Sequence, residues 1–404
     1  MSDAFRGLKV FDASQGVAAP HCALLLAQNG ADVIKLEPIT GDWSRVLGKS
    51  FGDLSPYSLV MNRGKRSIAL DLKSTDGMAI AQKLASEADV MLQNFRPGVM
   101  ARFGLDYDTV RKTNKDVVYL SLSGFGQTGP YSGRPATDMV MQGFSGWMCI
   151  NRDPSGTPQR VNMVAIDVVS GLYGFQAVSA ALYRRAMQGG GKLIEMSLME
   201  AAAALQSAPI VESHMGINRA QGIGVPIGIF RTMDGFININ ARRDPVFAKF
   251  CGLIGREDLI DDPLYRTSEA RIENEASLLA IIGEVIATRS TDDWDQALTA
   301  LDILHAPVND YTGYLANGHV AQAGVVSWIE NDTMGTVPLT KIPGLPLQKN
   351  GSALSRAPHI GEHSLEILGE FGYGDAAIAA LHRDGVVGVY DPDAAPANTG
   401  MAPP

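Results

Sequence analysis

Residues 116–123, DVVYLSLS, decide the fold class of this 404-residue chain. The segment is an almost continuous apolar run, which is typical of a strand buried on both faces of a parallel sheet. Upstream of it, strand-like runs alternate with segments of helical composition: the predicted strands are residues 8–13, 31–36 and 90–95, and the predicted helices are residues 18–28, 76–88 and 107–113. Repeated β-α-β order with short links predicts a doubly wound α/β domain built on a parallel sheet.

The sequence downstream of this strand predicts a second, smaller domain. A long helix is expected over residues 165–187, and a strand over 192–198. After about residue 215, Gly, Pro and β-prone residues mix, and amphipathic helices follow at 246–254, 276–287 and 294–301, which indicates an α+β domain. Two domains also suit the chain length. The predicted organisation is a large domain in residues 1–205, a linker in 206–224, a small domain in 225–310, a linker and return to the large domain in 311–390, and a disordered tail in 391–404.

Composition excludes several classes of protein. A net charge of -9 makes a nucleic-acid partner improbable, because the electrostatic footprint for phosphate is missing. Three widely spaced cysteines predict neither a disulfide framework nor a zinc site, and the seven histidines show no metal-ligand spacing, so we expect no metal. The N-terminal sequence does not resemble a signal peptide, and the apolar segment after Arg160 is interpreted as a buried helix. We therefore expect a cytoplasmic protein without a membrane partner.

The motif GFGQTG in residues 124–129 fits the GxGxxG pattern of dinucleotide-binding folds. That chemistry requires a helix to start within the motif and to place its N-terminus at the pyrophosphate. Pro130 and further turn residues follow instead. We interpret the motif as a loop at the carboxyl end of a strand, which is still where α/β sheets bind ligands.

Asp167 is the only charged residue in the segment from Val161 to Tyr183, VNMVAIDVVSGLYGFQAVSAALY. Burying an unpaired carboxylate is costly, so its position needs an explanation. One interpretation is a helix N-cap, because aspartate accepts hydrogen bonds from free helix N–H groups. The other is a catalytic carboxylate in a mostly dry cleft, where a helix N-terminus would favour the anion. The sequence leaves both open.

Ordered motifs along the chain resemble the class III CoA transferases, a family that includes formyl-CoA and carnitine CoA transferases. The resemblance covers residues 8–373 and rests on these stretches: LKVFDAS, GADVIKLEP, NRGKRSIALDLK, ADVMLQNFRPGVMARFGLDY, SLSGFGQTGPYSGRPATD, GKLIEMSLMEA, FRTMDGF and APHIGEHSLEILGEFGY. The resemblance implies ring-like subunits that interlock as a homodimer. It also implies that Asp167 is the nucleophile, that acyl-CoA and a small carboxylic acid are the substrates, and that no cofactor stays bound.

The implied chemistry assigns further residues. Each step needs a stabilised oxyanion, for which the backbone of the turn at residues 15–18 and the side chain of Gln15 are candidates, although Gln15 is equally interpretable as a surface turn residue. CoA carries three phosphate groups, which favours Lys and Arg near the carboxyl edge of the sheet. The residues carried over as CoA contacts are Val17, Leu70, Lys73, Asn94, Phe95, Arg102 and Phe103, with Phe95 or Phe103 against the adenine.

Two departures from the family pattern bear on function. Related acyl-CoA racemases carry His-Asp where this chain has Thr137 and Asp138, and threonine does not deprotonate an α-carbon. Val17 stands where formyl-CoA transferases carry glutamine, which argues against formyl or oxalate specificity. The prediction is therefore transfer of CoA between carboxylates. The alternatives are an acyl-CoA racemase or isomerase, CoA transfer between two carboxyls of one dicarboxylate, and a non-catalytic acyl-CoA binding protein.

Overall fold

The computed structural model describes residues 4–153, 155–216 and 224–393. The chain divides into two compact units. The first comprises Met1–Gln206 together with Gly324–Pro404, and the second comprises Ser207–Ala323. The predicted linker at 206–224 contains a helix, Ser207–His214, where we expected none. The other predicted domain limits stay a prediction.

The first unit is built on a seven-stranded sheet in the order β12-β3-β2-β1-β4-β5-β6. Its strands are β1 (Lys9–Asp12), β2 (Asp32–Glu37), β3 (Arg66–Leu70), β4 (Val90–Gln93), β5 (Val118–Ser123), β6 (Lys192–Ser197) and β12 (Val387–Gly388). Strands β1 to β6 pair in parallel, with Val10 of β1 opposite both Val33 and Val90. The predicted parallel sheet is present in β1 to β6, and the sheet as a whole is mixed because β12 returns antiparallel to β3.

Strand β5 confirms the expectation drawn from the apolar run, since all six of its residues are buried. The sheet is covered on both faces. On one face the core contains residues of α3 (Thr75–Glu87), α4 (Tyr107–Thr113) and two C-terminal helices at Ser364–Glu370 and Asp375–Arg383. On the other face α1 (Ala18–Gln28) and α7 (Ala165–Gln188) pack against the same strands. The remaining helices of this unit are α2 (Pro56–Asn62), α5 (Asp138–Phe144), α6 (Trp147–Ile150) and α8 (Leu198–Leu205).

Local sequence explains where several of these helices begin. Ser74 precedes α3 and accepts a hydrogen bond from the backbone N–H of Gly77, which satisfies a donor of the first turn. Ser55 and Ser58 form a reciprocal capping box at the start of α2. As predicted for the loop at 124–129, no helix starts there, and the next helix along the chain is α5.

Helix α7 is long and apolar enough, by length and composition alone, to cross a membrane. Core helices of soluble proteins pass the same test. Here α7 packs against α1 and contributes Val178, Ala181 and Leu182 to the core beneath the sheet. A small hairpin of β10 (Val326–Asn331) and β11 (Gly335–Thr340) completes the described part of the first unit and packs on Leu54 and Leu59.

The second unit has its own core under an antiparallel sheet of β7 (Ile227–Arg231), β8 (Phe236–Asn240) and β9 (Leu304–Pro307). Trp294 is fully buried in this core and donates its indole N–H to the carbonyl of Ile286 at 2.8 Å. The helices of this unit are α9 (Ser207–His214), α10 (Asp244–Leu253), α11 (Asp258–Asp261), α12 (Ser268–Glu273), α13 (Glu275–Ile286), α14 (Thr291–Ala300), α15 (Tyr311–Ala316) and α16 (Gly318–Gln322). Most of the predicted tail, residues 394–404, lies outside the described residues.

Candidate active site

The strand order reverses between β1 and β4, and this switch point lies beside the main cavity of the first unit. In doubly wound sheets the crevice outside the carboxyl ends of the strands at such a point binds ligands. The cavity has a volume of about 560 Å³. Its walls come from the carboxyl ends of four strands and the segments that follow them: Ala13 and Gln15 after β1, residues 36–40 around the end of β2, residues 70–73 around the end of β3, and Phe95, Met100 and Phe103 after β4.

Five predicted site residues line this one cavity: Gln15, Leu70, Lys73, Phe95 and Phe103. Four others do not line it. Arg102 is exposed in the 3-10 helix Met100–Phe103, and Val17 is buried at the start of α1. Asn94 faces the main chain of Gln15, and Asp167 lies at the start of α7. The cavity is therefore a place for the body of a ligand, and the proposed nucleophile sits outside its walls.

The loop between β1 and α1 is held from two sides by side chains. Asn94 accepts a hydrogen bond from the N–H of Gln15 at 2.8 Å and donates one to the carbonyl of Gln15 at 2.7 Å. Both carboxylate oxygens of Asp42 accept from the N–H of Gly16, at 3.0 and 3.1 Å. Gly16 has a φ of +79°, and a Cβ there would lie 2.1 Å from the ring of Trp43, so the loop requires glycine.

Buried charges lie directly beneath this loop. Lys35 pairs with Asp42 at 2.9 Å and also donates to the carbonyl of Ser14. Lys65 pairs with Asp12 at 2.8 Å, and all four side chains of these two pairs are fully buried. Although burial alone would raise it, the pKa of Asp12 is lowered because Lys65 and Lys35 favour the carboxylate. Such pairs are weak evidence for stability, but with every partner in place they fix a geometry.

Asp167 is the third residue of α7 and does not cap it. The N-cap is Val164, whose side chain accepts no hydrogen bond, so the N-cap interpretation of Asp167 is wrong. The capping oxygen comes from another helix. Asp138 Oδ2 accepts the backbone N–H of Ile166 at 2.7 Å and that of Asp167 at 3.0 Å. The sequence hides this relationship because the two aspartates lie on separate helices.

The carboxylate of Asp167 is 9% exposed, and no described residue donates a hydrogen bond to it or pairs with it. Burial raises its pKa to about 7, with the negative charge of Asp138 as the second cause. Both effects penalise the anion. The result is a carboxylate that keeps a substantial ionised fraction at neutral pH and is more basic than an ordinary aspartate, as a nucleophile requires.

Close packing of α7 on α1 brings the start of α7 against the start of α1. A Cβ on Gly171 would lie 2.7 Å from the carbonyl oxygen of Ala18, and one on Gly174 would lie 3.5 Å from the Cβ of Cys22. The two helices therefore run in the same direction in contact. Asp167 lies one turn before Gly171 on the same face of α7, and its neighbour Ile166 shares a buried cluster with Ala18 and Ala19 of α1.

The first turn of α1 offers free hydrogen-bond donors at that point. The N–H groups of Gln15 and Gly16 are occupied by Asn94 and Asp42. Among the residues that the structure describes, none accepts from the N–H groups of Val17, Ala18 and Ala19. Unpaired amides at a helix N-terminus suit an anion. Of the turn predicted to stabilise an oxyanion, the Val17 and Ala18 amides remain, and Ala19 adds a third donor.

Sequence reasoning missed several residues that the structure brings to this site. Residues 37–40 and Asp71 line the cavity. The sequence could have indicated them only through their position at the carboxyl ends of β2 and β3. Asp42 and Asp138, which hold the loop and α7, carry no motif of their own. The described residues contain no group of three or more His, Cys, Asp or Glu that could hold a metal ion.

Comparisons with known proteins agree in one family. The family model described as CoA-transferase family III matches residues 5–364. The human succinyl-CoA:glutarate CoA-transferase is 32% identical over 393 residues, covering 94% of this chain and 89% of that protein. The succinate–glutarate CoA-transferase of Agrobacterium fabrum is 30% identical, covering 90% of this chain and 94% of that protein.

The same answer comes from solved structures. The crystal structure of a CAIB/BAIF family protein from Brucella suis superposes with a TM-score of 0.81 at 29% identity, covering 91% of this chain and 98% of that chain. The resemblance noted in the sequence is thereby confirmed over nearly the full length. The chain belongs to CoA-transferase family III and is an acyl-CoA:carboxylate CoA-transferase.

Proposed function

We propose that this enzyme moves CoA from an acyl-CoA to a free carboxylate with Asp167 as the covalent nucleophile. The observation that carries the proposal is the state of that carboxylate: buried, without a hydrogen-bond donor among the described residues, raised in pKa to about 7, and carried by a helix whose start packs against the start of α1. Each of these properties favours attack on a carbonyl carbon over a structural role.

The first half of the reaction loads CoA onto the enzyme. A carboxylate oxygen of Asp167 attacks the thioester carbonyl of the donor. The C–S bond breaks, CoA is released as its thiolate, and the acyl group is joined to Asp167 as a mixed anhydride. The thiolate then attacks the aspartyl carbonyl and expels the donor acid as its carboxylate. The product is an aspartyl-CoA thioester, and no proton or electron is gained or lost.

The second half is the same exchange in reverse. The acceptor carboxylate attacks the aspartyl thioester, CoA thiolate leaves, and a new mixed anhydride forms. Attack of the thiolate on the acceptor's acyl carbon breaks the anhydride, gives the new acyl-CoA and restores the Asp167 carboxylate. Each tetrahedral intermediate carries an oxyanion, for which the unpaired N–H groups of Val17, Ala18 and Ala19 are the candidate donors, because the start of α1 packs against the start of α7.

The cavity at the switch point is proposed to hold part of the CoA moiety. Phe95 and Phe103 offer apolar surface, and Lys73 offers a positive charge for a phosphate group. Asn94 contributes indirectly, since its amide is used by the main chain of Gln15. For Arg102 we retain the prediction of a phosphate contact from the outer side of the site, where its side chain is exposed.

We propose that the acyl groups are small dicarboxylates. The curated relatives named above act on succinyl and glutarate groups by their names, and the identity extends over nearly the whole of each chain. Transfer between the two carboxyls of one such molecule would use the same steps. Racemisation lacks support at position 137, because the Thr137 hydroxyl at the start of α5 is not an acid or base for an α-carbon.

A homodimer is proposed as the working form, as the family resemblance implies. The support from this chain is a row of exposed apolar side chains on α7, a helix whose other face is buried: Leu172, Tyr173, Tyr183 and Met187. Exposed apolar side chains on a helix whose other face is buried support an interaction site. We also propose a reducing, cytoplasmic setting, which suits the unpaired Cys22, Cys149 and Cys251.

Trapping the acyl-enzyme tests the nucleophile. Wild-type protein incubated with succinyl-CoA and then with hydroxylamine should yield a hydroxamate at residue 167, read by peptide mass spectrometry. Asp167→Asn should fold, bind CoA and give neither hydroxamate nor transfer to glutarate, because an amide oxygen is too weak a nucleophile to open a thioester. Asp116→Asn, at an exposed aspartate before β5, is the matched control and should behave as wild type. Near-normal transfer by Asp167→Asn would place the nucleophile elsewhere.

A further inference from the structure

A second carboxylate, that of Asp138, accepts two N–H donors at the start of α7 and one from its own helix, α5. Its Oδ2 accepts from the backbone N–H groups of Ile166 and Asp167, at 2.7 and 3.0 Å. Its Oδ1 accepts from the side-chain amide of Gln142 at 2.6 Å. Asp138 is buried, and its carboxylate is the acceptor in each of these contacts.

These contacts remove the donors that would otherwise stabilise the nucleophile. An aspartate in the first turn of a helix is ordinarily favoured as an anion by the free N–H groups and by the helix dipole. In α7 two of those N–H groups point at Asp138, and the dipole end is compensated by its charge. The Asp167 carboxylate is left beside a like charge and without a donor.

Gln142 extends the same arrangement to the segment before α7. Its side-chain amide donates to the carbonyls of Val161 and Met163, both at 3.1 Å, and its Oε1 accepts from the N–H of Val161 at 3.0 Å. Helix α5 thus fixes both the approach to α7 and its first turn. A shift of α5 would move the nucleophile relative to α1.

We propose that Asp138 is a positioning residue that occupies two amides at the start of α7 and thereby fixes the first turn of that helix and the place of the Asp167 carboxylate. The inference rests on the proposed role of Asp167 as nucleophile. Other charged or titratable groups on described elements that pack against α7 include His21 on α1, Glu200 on α8, and Lys192 and Glu195 on β6. His21 directs its Nδ1 at the carbonyl of Val168, and Glu200 accepts from Ser197, so each has its own partner.

The pH dependence of kcat/KM for succinyl-CoA separates this role from a purely structural one. Asp167 must be ionised to attack, so activity should rise with pH through about 7 in the wild-type protein. In Asp138→Asn the like charge is gone, and the acid limb should move down by about 1 to 2 pH units. Asp138→Ser retains a hydroxyl as cap without the charge and should shift the limb in the same direction. The maximal rate of both variants should fall by about tenfold or more, because the nucleophile is less basic and less firmly held.

Controls keep the outcome specific. Asp116→Asn should leave the limb unchanged, and circular dichroism should show which variants are folded. If the acid limb of the kcat/KM profile does not shift in either folded variant, the proposal is overturned. A wild-type acid limb below about pH 5.5 would overturn it as well, and that measurement requires no variant. Hydroxamate should still form at residue 167 in Asp138→Asn. A hydroxamate at another residue and none at residue 167 would show that Asp167 is not the nucleophile. That result would contradict the proposed function and is distinct from a failure of the proposal for Asp138.

Discussion

Asn94 and Gln15 are joined by two hydrogen bonds that cross the switch point of the sheet, one to the N–H and one to the carbonyl of Gln15. The segment after β4 thereby holds the loop after β1, and the first amides of α1 follow directly. In a site that stabilises an oxyanion with backbone donors, the position of such a loop is part of the catalytic machinery. Asn94 therefore fixes the loop that leads from the cavity wall at Gln15 to the first amides of α1.

Asn94→Ala should lower kcat by about tenfold or more, with little change in KM for acyl-CoA, because the loop loses its tether while the cavity remains. The matched control is Asn114→Ala, since Asn114 likewise makes two side-chain hydrogen bonds to the main chain, donating to the carbonyls of Ala85 and Ala88. That variant should lose a similar stability, about 1 to 2 kcal/mol, with normal kcat. Steady-state kinetics decide: a raised KM with unchanged kcat in Asn94→Ala would assign Asn94 to CoA itself.

Gly171→Ala should reduce kcat by about 10- to 100-fold, because the added Cβ meets the Ala18 carbonyl at 2.7 Å and pushes α7 away from the amides of α1. It should also destabilise the protein by about 1 to 3 kcal/mol. Gly283→Ala is the control, at a helical glycine of the second unit with nothing within 4 Å of its Cβ position. That change should preserve kcat and raise the free energy of unfolding by up to about 1 kcal/mol. Full activity in Gly171→Ala would remove the helix contact from the mechanism.

Asp167→Asn should be more stable than wild type at neutral and alkaline pH. The pKa of Asp167 is raised from 3.8 to about 7, so the folded protein favours the protonated side chain and loses stability as pH rises through that window. An amide has no charge to bury, and the advantage of the variant should grow from near zero at about pH 4 to roughly 2 to 4 kcal/mol at about pH 8. Urea denaturation at both pH values measures it, and a difference independent of pH would contradict the assignment.

Lys73→Ala should raise KM for acyl-CoA by about tenfold and leave kcat unchanged, because Lys73 lines the cavity and offers its charge to a phosphate group. Arg102→Ala should have a smaller effect, since this side chain lies outside the cavity wall. Lys112→Ala, on the exposed surface of α4, removes the same charge without touching the site. Equal effects of all three changes on KM would mean that Lys73 acts only through the net charge of the protein and does not contact CoA.

Light scattering should report twice the chain mass at the lowest concentrations that can be measured. Interlocked chains separate only by partial unfolding, so dilution alone should give no monomer, and dissociation in urea should coincide with loss of secondary structure. The exposed apolar residues of α7 are consistent with burial in such an assembly. A folded monomer after dilution would exclude an interlocked dimer.

Elements with strong local signals were predictable from the sequence. Helices α1 and α4 begin and end where composition and capping residues indicated, and β5 follows its apolar run. The start of α7 was also found, but not the group that caps it, since Asp138 reaches Ile166 from a separate helix. Strand β12 and the β10–β11 hairpin were missed for a related reason. Short strands with mixed composition are defined by their partners, and partners distant in sequence leave no periodic signal.

The antiparallel strand β12 has a consequence for synthesis of the chain. Val387 pairs with Leu70, so one edge of β3 stays unpaired until nearly all of the protein has left the ribosome. The first six strands of the sheet are complete by Ser197. The edge of β3 nevertheless has no partner strand while the whole second unit is synthesised. Exposed strand edges pair readily with other chains. A chain truncated before residue 387 should therefore expose this edge of β3 and aggregate more readily than the full-length protein.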